Sequence, residues 1–276
     1  MKQAKSFSIS KHAVWRAYER VRANKGAAGV DSQSMEAFEE NLKDNLYKIW
    51  NRMSSGTYFA PPVKTVMIPK KGGGERPLGI PTIADRIAQT VVKDHLEPLV
   101  EPHFHRDSYG YRPGRSALDA VATTRKRCWR YGWVLDLDVR GFFDNLDHGH
   151  VRTFLQHRVR DGVLLRLIGK WLKAGVMEDG GVSYPESGSP QGGVVSPLLS
   201  NVVLHYVLDL WFEHEVKPRL RGRAFLIRFA DDFVIGFCDE RDARRVMKVI
   251  PKRFGKYGLT IHPTKSRLVP FRRPSY

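Results

Sequence analysis

Residues 224–238 read AFLIRFADDFVIGFC, two apolar runs joined through the adjacent carboxylates of Asp231 and Asp232. Each run has the length and composition of a strand, which predicts a tight hairpin with the two acids at its tip. Side chains alternate between the faces of a strand, so a hairpin tip is one of the few places where neighbouring acids can lean toward one point. Acids placed there are unfavourable unless a cation compensates their charge. The stretch therefore predicts a hairpin that carries a candidate metal site.

The charge balance of the chain is strongly basic. Its 276 residues include 46 Lys and Arg against 29 Asp and Glu, a formal net charge of +17 at pH 7. A basic surface of this size attracts a polyanion through phosphate neutralisation and counterion release. We expect a nucleic acid partner; the alternative is a basic globular protein that binds none.

Cysteine content and hydropathy indicate the compartment. Cys128 and Cys238 are far apart in the sequence, so they support neither a disulfide framework nor a structural zinc site. The first 11 residues lack an apolar segment, and no apolar run approaches the roughly 20 residues that span a bilayer. These features predict a soluble, cytoplasmic protein without a membrane partner.

Hydrophobic periodicity and turn residues predict helices interleaved with strands, several of which are joined by hairpins. The predicted helices span 9–24, 35–53, 85–100, 115–130, about 195–215 and 240–255, with two more after Asp147 and Asp161. The predicted strands span 63–69, 75–80, 133–139, 224–229, 233–238 and 266–271, and a further hairpin spans 175–188. This pattern favours a mixed α+β fold over a doubly wound parallel sheet.

A second acidic cluster lies in residues 134–144, VLDLDVRGFFD. In a continuous strand, Asp136 and Asp138 would share one face while apolar side chains line the other. If this strand lies beside the hairpin, three or four carboxylates converge, and bound divalent cations would keep them ionised. Oxygen ligands suit Mg²⁺, and two ions roughly 3.5–4 Å apart would support phosphoryl transfer. Taken alone, each acid favours a solvated turn or a helix cap, but two acidic clusters on strands together favour a metal site.

A third motif spans residues 189–201, SPQGGVVSPLLSN. Pro and Gly shape a loop, and Ser196-Pro197 begins the long apolar helix, with Pro where its missing N–H costs little. The free amides of such a helix start could frame a nucleotide; the alternative is an elaborate helix cap.

The three motifs resemble the successive palm motifs of reverse transcriptases of the bacterial group II intron type. Asp138 with Phe142-Phe143 resembles the first motif, residues 189–201 the second and Phe229–Asp232 the third. Further blocks resemble those of the fingers and the fourth palm motif: 25–31, 68–82 with Asp85, Arg86 and Gln89, 109–117, and 258–266. The resemblance covers nearly the whole chain. It implies a right-hand polymerase with fingers and a basic N-terminal extension over 1–130, and a palm over 131–276 whose antiparallel sheet is backed by helices.

The resemblance also implies roles for individual residues. Asp138 and Asp231 would bind two Mg²⁺ ions, which Mn²⁺ could replace, and Asp232 would complete the catalytic acids; Val139 is a further metal-binding position. Asp138 is preferred to Asp136 because Phe143 then falls where the family places a bulky gate against the ribose 2′-hydroxyl. The other implied nucleotide-binding residues are Lys70, Arg76, Gln191 and Lys265, the last assisting pyrophosphate departure. The implied primer and template contacts are Arg112, Arg115 and Phe229.

The chain departs from the family pattern in two respects. Phe229 stands where the usual tetrad begins with Tyr, so any hydrogen bond from that hydroxyl is lost while aromatic packing survives. The sequence ends at Tyr276, soon after the fourth palm block. We therefore expect the thumb, maturase and endonuclease regions to be absent and activity to be weak.

The implied function is RNA-directed DNA polymerisation, with an RNA template, a DNA primer, dNTPs and the protein's own intron RNA as partners. One alternative is a non-catalytic RNA-binding fragment of maturase type that assists intron folding. Another is an RNA-dependent RNA polymerase, although such an enzyme would be expected to carry an acid where Phe143 stands. The sequence makes no prediction of oligomeric state.

Overall fold

The computed structural model describes residues 8–69, 73–178, 181–184, 187–188 and 192–271. Two of the predicted nucleotide-binding residues, Lys70 and Gln191, lie outside these ranges.

The chain forms two compact units, and each is assembled from two separate segments. Unit 1 comprises Met1–Val100 and Leu155–Ser196, and unit 2 comprises Glu101–Phe154 and Pro197–Tyr276. The predicted boundary near residue 130 divides fingers from palm by function, and it stays a prediction.

Helices and strands are interleaved along the chain, as predicted. The helices are α1 (Lys11–Ala23), α2 (Met35–Glu40), α3 (Leu42–Ser54), α4 (Ile83–Val100), α5 (Ala117–Cys128), α6 (His148–Gln156), α7 (Gly162–Leu172), α8 (Ser196–Leu204) and α9 (Glu240–Gly255). The strands are β1 (Val63–Pro69), β2 (Glu75–Ile80), β3 (Trp133–Leu137), β4 (Val139–Arg140), β5 (Val176–Glu178), β6 (Gly181–Ser183), β7 (Ala224–Phe229), β8 (Asp232–Phe237), β9 (Thr260–Ile261) and β10 (Arg267–Pro270).

The predicted helix over 35–53 is wrong in one respect, because it is two helices that meet at Asn41. Asn41 has φ −121° and ψ 39°, outside the helical region, and it ends α2 and begins α3. Asn is a weak helix former because its side chain competes for backbone hydrogen bonds. The Asn45 side chain donates to the carbonyl of Phe38 at 2.9 Å, which holds the two helices together across the break.

Unit 1 carries a four-stranded sheet in the order β2-β1-β5-β6. The predicted β1–β2 and β5–β6 hairpins are both present as antiparallel pairs. The two hairpins join through a parallel pairing of β1 with β5, which was not predicted. That contact links residues more than a hundred positions apart, and no local pattern specifies it.

A buried carboxylate organises the core of unit 1. Asp85 accepts hydrogen bonds from the Tyr58 hydroxyl at 2.6 Å, the Trp171 indole at 2.7 Å and the Gln89 amide at 2.8 Å. Burial raises the pKa of Asp85, and these three donors oppose that rise. Gln89 in turn accepts from the backbone N–H of Val195 at 3.2 Å, which ties the end of the third motif to α4.

Unit 2 is built on a four-stranded antiparallel sheet in the order β10-β3-β8-β7. Helix α9 begins at an Asp239 cap, whose carboxylate accepts from the N–H groups of Arg241 and Asp242 at 2.7 and 3.1 Å. It covers one face of the sheet, where Phe254 stacks on Phe233 with ring centroids 5.8 Å apart. The predicted α+β fold with an antiparallel sheet backed by helices is confirmed.

The predicted apolar helix over about 195–215 begins at Ser196 and changes its winding along its length. After α8 it widens into π-helical turns at His205–Asp209 and Phe212–Val216. Such turns frequently occur at functional sites, and the first of them contains the buried Asp209. Among the described residues, no helix is both long and apolar enough to cross a membrane.

Candidate active site

The turn between β7 and β8 holds the two adjacent acids. Phe229 pairs with Asp232, so Ala230 and Asp231 form a two-residue connection. Ala230 has φ +56°, in the left-handed region that residues other than Gly rarely adopt. A residue held there costs on the order of 1–3 kcal/mol and persists only where the surroundings enforce it. The hairpin is confirmed, and its tip is a strained turn.

A buried arginine supports this turn from inside the sheet. Arg228 is fully buried, and its guanidinium donates to the carbonyl of Ala230 at 2.9 Å. The same guanidinium forms a two-pronged ion pair with Asp209 at 2.8 and 3.0 Å and donates to Asn201 at 2.8 Å. Burial alone would raise the pKa of Asp209, but the charge and hydrogen bonds of Arg228, with His205, hold it at about 2. Arg228 therefore links Asp209, in the π-helical turn, to the backbone carbonyl of Ala230 in the hairpin turn.

Gly110 packs against the same turn from outside the hairpin. A Cβ atom at Gly110 would lie 2.2 Å from the backbone nitrogen of Ala230, a distance that no side chain tolerates. The carbonyl of Gly110 accepts from the Asn201 amide at 2.8 Å. The turn is thus held by contacts from α8, the β7 strand and the loop before α5.

Asp138 lies at a break in the predicted strand over 133–139. The structure ends β3 at Leu137 and resumes as β4 at Val139, so Asp138 stands between two ladders. Its carbonyl accepts from the N–H of His262 at 2.7 Å, and its N–H donates to the Ser266 hydroxyl at 3.5 Å. Because of the break, the simple alternation that placed Asp136 and Asp138 on one face does not apply.

Asp136 and Asp138 have different partners. Asp136 lies opposite Arg267 on β10, and the two side chains form an ion pair at 3.2 Å. Asp138 instead forms an ion pair with the ammonium of Lys265 at 3.1 Å, on a Lys side chain that is 65% exposed. Lys265 is thereby located beside one predicted metal ligand.

The three candidate acids influence one another electrostatically. Burial raises the pKa of Asp231, and the charge of Asp138 raises it further. Burial also raises the pKa of Asp232, followed by the charges of Asp231, Asp138 and Asp136, while Lys265 opposes the rise. The register of β3 with β8, which pairs Leu137 with Phe233, explains this proximity because the next residue along each strand toward the turn is an acid. The strand that carries Asp136 therefore lies beside the hairpin, which is the condition that the sequence analysis set for the two acidic clusters to converge.

The chain matches the family described as "Reverse transcriptase (RNA-dependent DNA polymerase)" over residues 68–273. The chain belongs to the reverse transcriptase family.

Curated relatives of this reverse transcriptase indicate the group II intron type. Group II intron-encoded protein LtrA of Lactococcus lactis subsp. cremoris is 38% identical over 213 residues, which cover 74% of this chain and 35% of LtrA. Protein YkfC of Escherichia coli strain K12 is 36% identical over 245 residues, which cover 77% of this chain and 64% of YkfC. The chain therefore spans only part of the length of these relatives.

Solved structures share the fold at low sequence identity. Telomerase from Candida albicans, in complex with a TWJ fragment of telomeric RNA, matches with a TM-score of 0.60 at 13% identity. The match covers 88% of this chain and 49% of the telomerase chain. Apo telomerase from Candida tropicalis, truncated from the C-terminal domain, matches with a TM-score of 0.58 at 15% identity. This match covers 83% of this chain and 56% of the telomerase chain. These likenesses confirm the predicted fingers and palm architecture.

The donor set of this reverse transcriptase suits a hard divalent cation. Asp138, Asp231 and Asp232 offer carboxylate oxygens, the ligands that Mg²⁺ and Mn²⁺ prefer. The negative charges of these acids repel one another, and a bound cation would offset that repulsion. Among the described residues, however, no three His, Cys, Asp or Glu side chains are already gathered around one metal position.

The remaining predicted palm residues lie near the acids in the sequence. Val139 is buried in β4. Phe143 is partly exposed, begins a short 3₁₀ turn and packs edge-on against buried Phe142 at 5.5 Å. Phe229 is partly buried and packs against the cluster that includes Phe225. All three positions lie within unit 2, as do the acids.

The predicted arginines differ in how far they are free to bind. Arg112 is engaged by both oxygens of Glu101 and by two backbone carbonyls, all at 2.7–3.1 Å. Its predicted contact with primer or template would require that network to open. Arg115 is exposed, with its guanidinium 5.4 Å from the Tyr109 ring centre. Arg76 is exposed on β2 of unit 1, opposite Ile68.

Sequence reasoning missed the residues that support the turn. Arg228 interrupts the apolar run of β7, and Asp209 interrupts an apolar helix. A charge of each sign inside otherwise buried segments was the available signal, because buried charges are almost always paired. Nothing in the local pattern identified them as partners of each other.

Proposed function

We propose that this reverse transcriptase domain catalyses RNA-directed DNA synthesis. The primer 3′-hydroxyl attacks the α-phosphorus of a template-paired dNTP, a new 3′-oxygen to phosphorus bond forms, and the bond to the β-phosphate oxygen breaks to release pyrophosphate. The closeness of Asp138 to Asp231 and Asp232, at the end of the β3–β8 pair nearest the turn, is the observation that carries the proposal.

The acids have separate roles in this proposal. Asp138 and Asp231 would hold two Mg²⁺ ions, with the Val139 backbone as a further ligand, and Asp232 would complete the acidic site. Such ions, when bound, lower the pKa of the attacking hydroxyl and stabilise the leaving group. Arg228 and Gly110 keep Asp231 and Asp232 in place by fixing the Ala230 backbone between them and the sheet.

The neighbouring side chains provide selectivity and proton transfer. Phe143 would exclude a ribose 2′-hydroxyl by contact, which favours dNTPs. Lys265, released from Asp138, would donate a proton or a hydrogen bond to the departing pyrophosphate. Arg76, Lys70 and Gln191 would bind the incoming nucleotide, and Arg112, Arg115 and Phe229 would contact primer and template.

The natural template proposed for this domain is intron RNA. Its relatives include LtrA, a group II intron-encoded protein, but the chain covers 35% of that protein. The net charge of +17 supports binding to a nucleic acid phosphate backbone.

A second candidate function is assistance to intron RNA folding without DNA synthesis. A similarity to nuclear intron maturase 2 of Arabidopsis thaliana, 31% identical over 177 residues and covering 50% of this chain, favours it. Both functions require RNA binding, and only the first requires the acids.

The decisive experiment compares primer extension and RNA binding in the same variants. D231N/D232N should abolish dNTP incorporation on an RNA template while leaving RNA affinity within about twofold, because the charge change is small beside the basic surface. Wild-type chain that binds the primer–template duplex and incorporates no dNTP would support the second candidate. A parallel loss of affinity and incorporation in the double variant would contradict the assignment of these acids.

A further inference from the structure

A basic groove lies in unit 2 at the far end of the palm sheet from the acids. It has a volume of about 510 Å³ and opens beside the first residues of β7, from Ala224 to Leu226. The acids lie past the other end of that strand, where Phe229 pairs with Asp232, whereas Ala224 pairs with Phe237. At about 3.4 Å per residue, roughly 17 Å of strand separates Ala224 from Phe229, and roughly 10 Å separates Leu226 from it.

Positive charge dominates the walls of the basic groove. Its cationic side chains are Arg106, Arg127, Arg130, Lys217 and Arg223, against the acids Asp107 and Glu213. Asp107 forms a two-pronged ion pair with Arg127 at 2.7 and 2.8 Å, and Glu213 forms an ion pair with Lys217 at 2.8 Å. Arg130 and Arg223 are exposed and form no ion pair with an acid within the described part of the chain. Two guanidinium groups are therefore available to an external anion.

The positive surface continues along helix α5. An adjoining depression of about 380 Å³ shares Arg127 and Arg130 with the basic groove and adds Lys126 and Thr123. Cations thus follow one another along a path longer than either depression alone. A single small anion would occupy only part of this path, whereas a phosphodiester chain could follow it.

Aromatic rings lie among these cations. The Arg223 guanidinium lies 6.0 Å from the Tyr131 ring centre, and the Arg127 guanidinium lies 5.7 Å from that of Phe225. Tyr131 and Phe225 meet edge to face at 4.8 Å. Stacking of this kind orients planar guanidinium groups, whose fork of donors matches phosphate oxygens.

The edge of β7 adds backbone donors. Arg228 turns its N–H and carbonyl outward, where they bond the Asp107 carbonyl and the Tyr109 N–H at 2.9 and 2.8 Å. Backbone groups alternate in direction along a strand, so Leu226 and Ala224 also face outward, toward the basic groove. Backbone N–H groups commonly join Arg and Lys in contacts to phosphate oxygens.

We propose that the basic groove is an RNA-binding site separate from the catalytic acids, and that it binds the phosphodiester backbone. The binding is mainly electrostatic and independent of base sequence, since the groove offers guanidinium and backbone donors, and the two carboxylates in its described lining, Asp107 and Glu213, are already paired with Arg127 and Lys217. The site does not require DNA synthesis, so it can hold RNA outside the reaction centre whether or not the acids are active.

The test measures affinity for a 5′-labelled, unstructured single-stranded RNA by fluorescence anisotropy over a series of salt concentrations. R130Q/R223Q should weaken binding about tenfold at low salt, because two charge-assisted phosphate contacts are lost. It should also reduce the slope of log affinity against log salt by about one to two. The reversal R130E/R223E should weaken binding further. Both arginines are exposed, and equal thermal midpoints would verify that the variants fold.

The matched control removes the same charge from two arginines that are not among the residues lining the basic groove. Arg241 and Arg245 are exposed on α9, and R241Q/R245Q should leave both affinity and salt slope near the wild-type values. Equal losses in the groove variant and the control would overturn the proposal, because binding would then follow net charge alone. Unchanged affinity in R130Q/R223Q and R130E/R223E would overturn it as well, and so would displacement of the RNA by polyglutamate at equal ionic strength. D231N/D232N should retain the binding, which separates this test from that of the polymerase.

Discussion

The guanidinium of Arg228 donates to the carbonyl oxygen of Ala230 at 2.9 Å, directly beneath the two acids of the palm hairpin. Ala230 has a left-handed backbone, φ +56°, which the surrounding structure must enforce. Arg228 is itself held by Asp209 and Asn201. The turn that carries the proposed catalytic acids is therefore held by a buried ion pair that makes no contact with substrate in the proposed mechanism.

Removing one partner of this ion pair should destabilise the fold strongly. D209N should lower the free energy of unfolding by about 3–5 kcal/mol, because Arg228 would remain buried and uncompensated. Urea unfolding measures this change. The surface variant E240Q, which breaks the exposed pair with Arg244, should cost less than about 1 kcal/mol. Similar decreases in the unfolding free energy of the two variants would show that the buried ion pair contributes no more to stability than the exposed one.

Replacing both partners should separate stability from activity. R228M/D209L removes both buried charges, and such replacements are often neutral or stabilising. The double variant should therefore be more stable than D209N, yet dNTP incorporation should stay low because the donor to Ala230 is lost. Full activity in a stable double variant would show that Arg228 does not position the turn.

The Asp209–Arg228 pair should also give a defined acid sensitivity. The pKa of Asp209 is about 2 in the folded protein, below the usual Asp value of about 3.9. A carboxylate whose pKa is lowered by folding stabilises the folded state at pH values above its unfolded-state pKa. This stabilisation is lost as the pH falls toward the folded-state pKa of about 2. The unfolding free energy of wild type, measured between pH 5 and pH 2, should fall more steeply than that of D209N. Parallel curves would contradict the assignment.

Gly110 should tolerate no side chain, because a Cβ there would lie 2.2 Å from the nitrogen of Ala230. G110A should reduce both thermal stability and dNTP incorporation, since either the hairpin tip or the loop before α5 must shift. G132A serves as the control, because a Cβ at Gly132 meets no atom within 4 Å. A G110A protein with wild-type activity would mean that the acids do not depend on this close approach.

Phe143 should set the preference for dNTPs over rNTPs. F143A should raise the relative incorporation of rNTPs about tenfold or more, because steric exclusion of this kind is worth about 1–3 kcal/mol. F143Y retains the ring and should retain the discrimination. Competing dNTP and rNTP incorporation on one RNA template provides the measurement, and an unchanged ratio in F143A would remove Phe143 from the nucleotide site.

Local patterns predicted much of this fold, and long-range contacts explain most of the rest. The β7–β8 hairpin and the span of α9 follow from apolar runs, turn residues and caps that lie close together in sequence. The β1–β5 pairing depends on residues distant in sequence. The break at Asp138 likewise depends on contacts with His262 and Ser266.

The candidate site likewise combines residues that local sequence patterns identify with contacts that only the tertiary structure shows. The acidic clusters that contain Asp138, Asp231 and Asp232 were singled out because acids in apolar strands are conspicuous, and the choice of Asp138 over Asp136 came from the family resemblance. The pairing of Asp138 with Lys265, and of Arg228 with Asp209, depends on tertiary packing that no single motif contains. The arginine network around Glu101 likewise occupies Arg112, a residue that sequence reasoning had assigned to nucleic acid.

The most direct test of the central claim compares two neighbouring acids in single-nucleotide primer extension on an RNA template with Mg²⁺. Asp138 and Asp136 are two residues apart, each is paired with a basic side chain, and only Asp138 is proposed to bind metal. D138N should reduce dNTP incorporation by at least about 10³-fold, since metal-assisted phosphoryl transfer depends on that carboxylate, while D136N should stay within a few-fold of wild type. Equal activity of D138N and D136N would contradict the account.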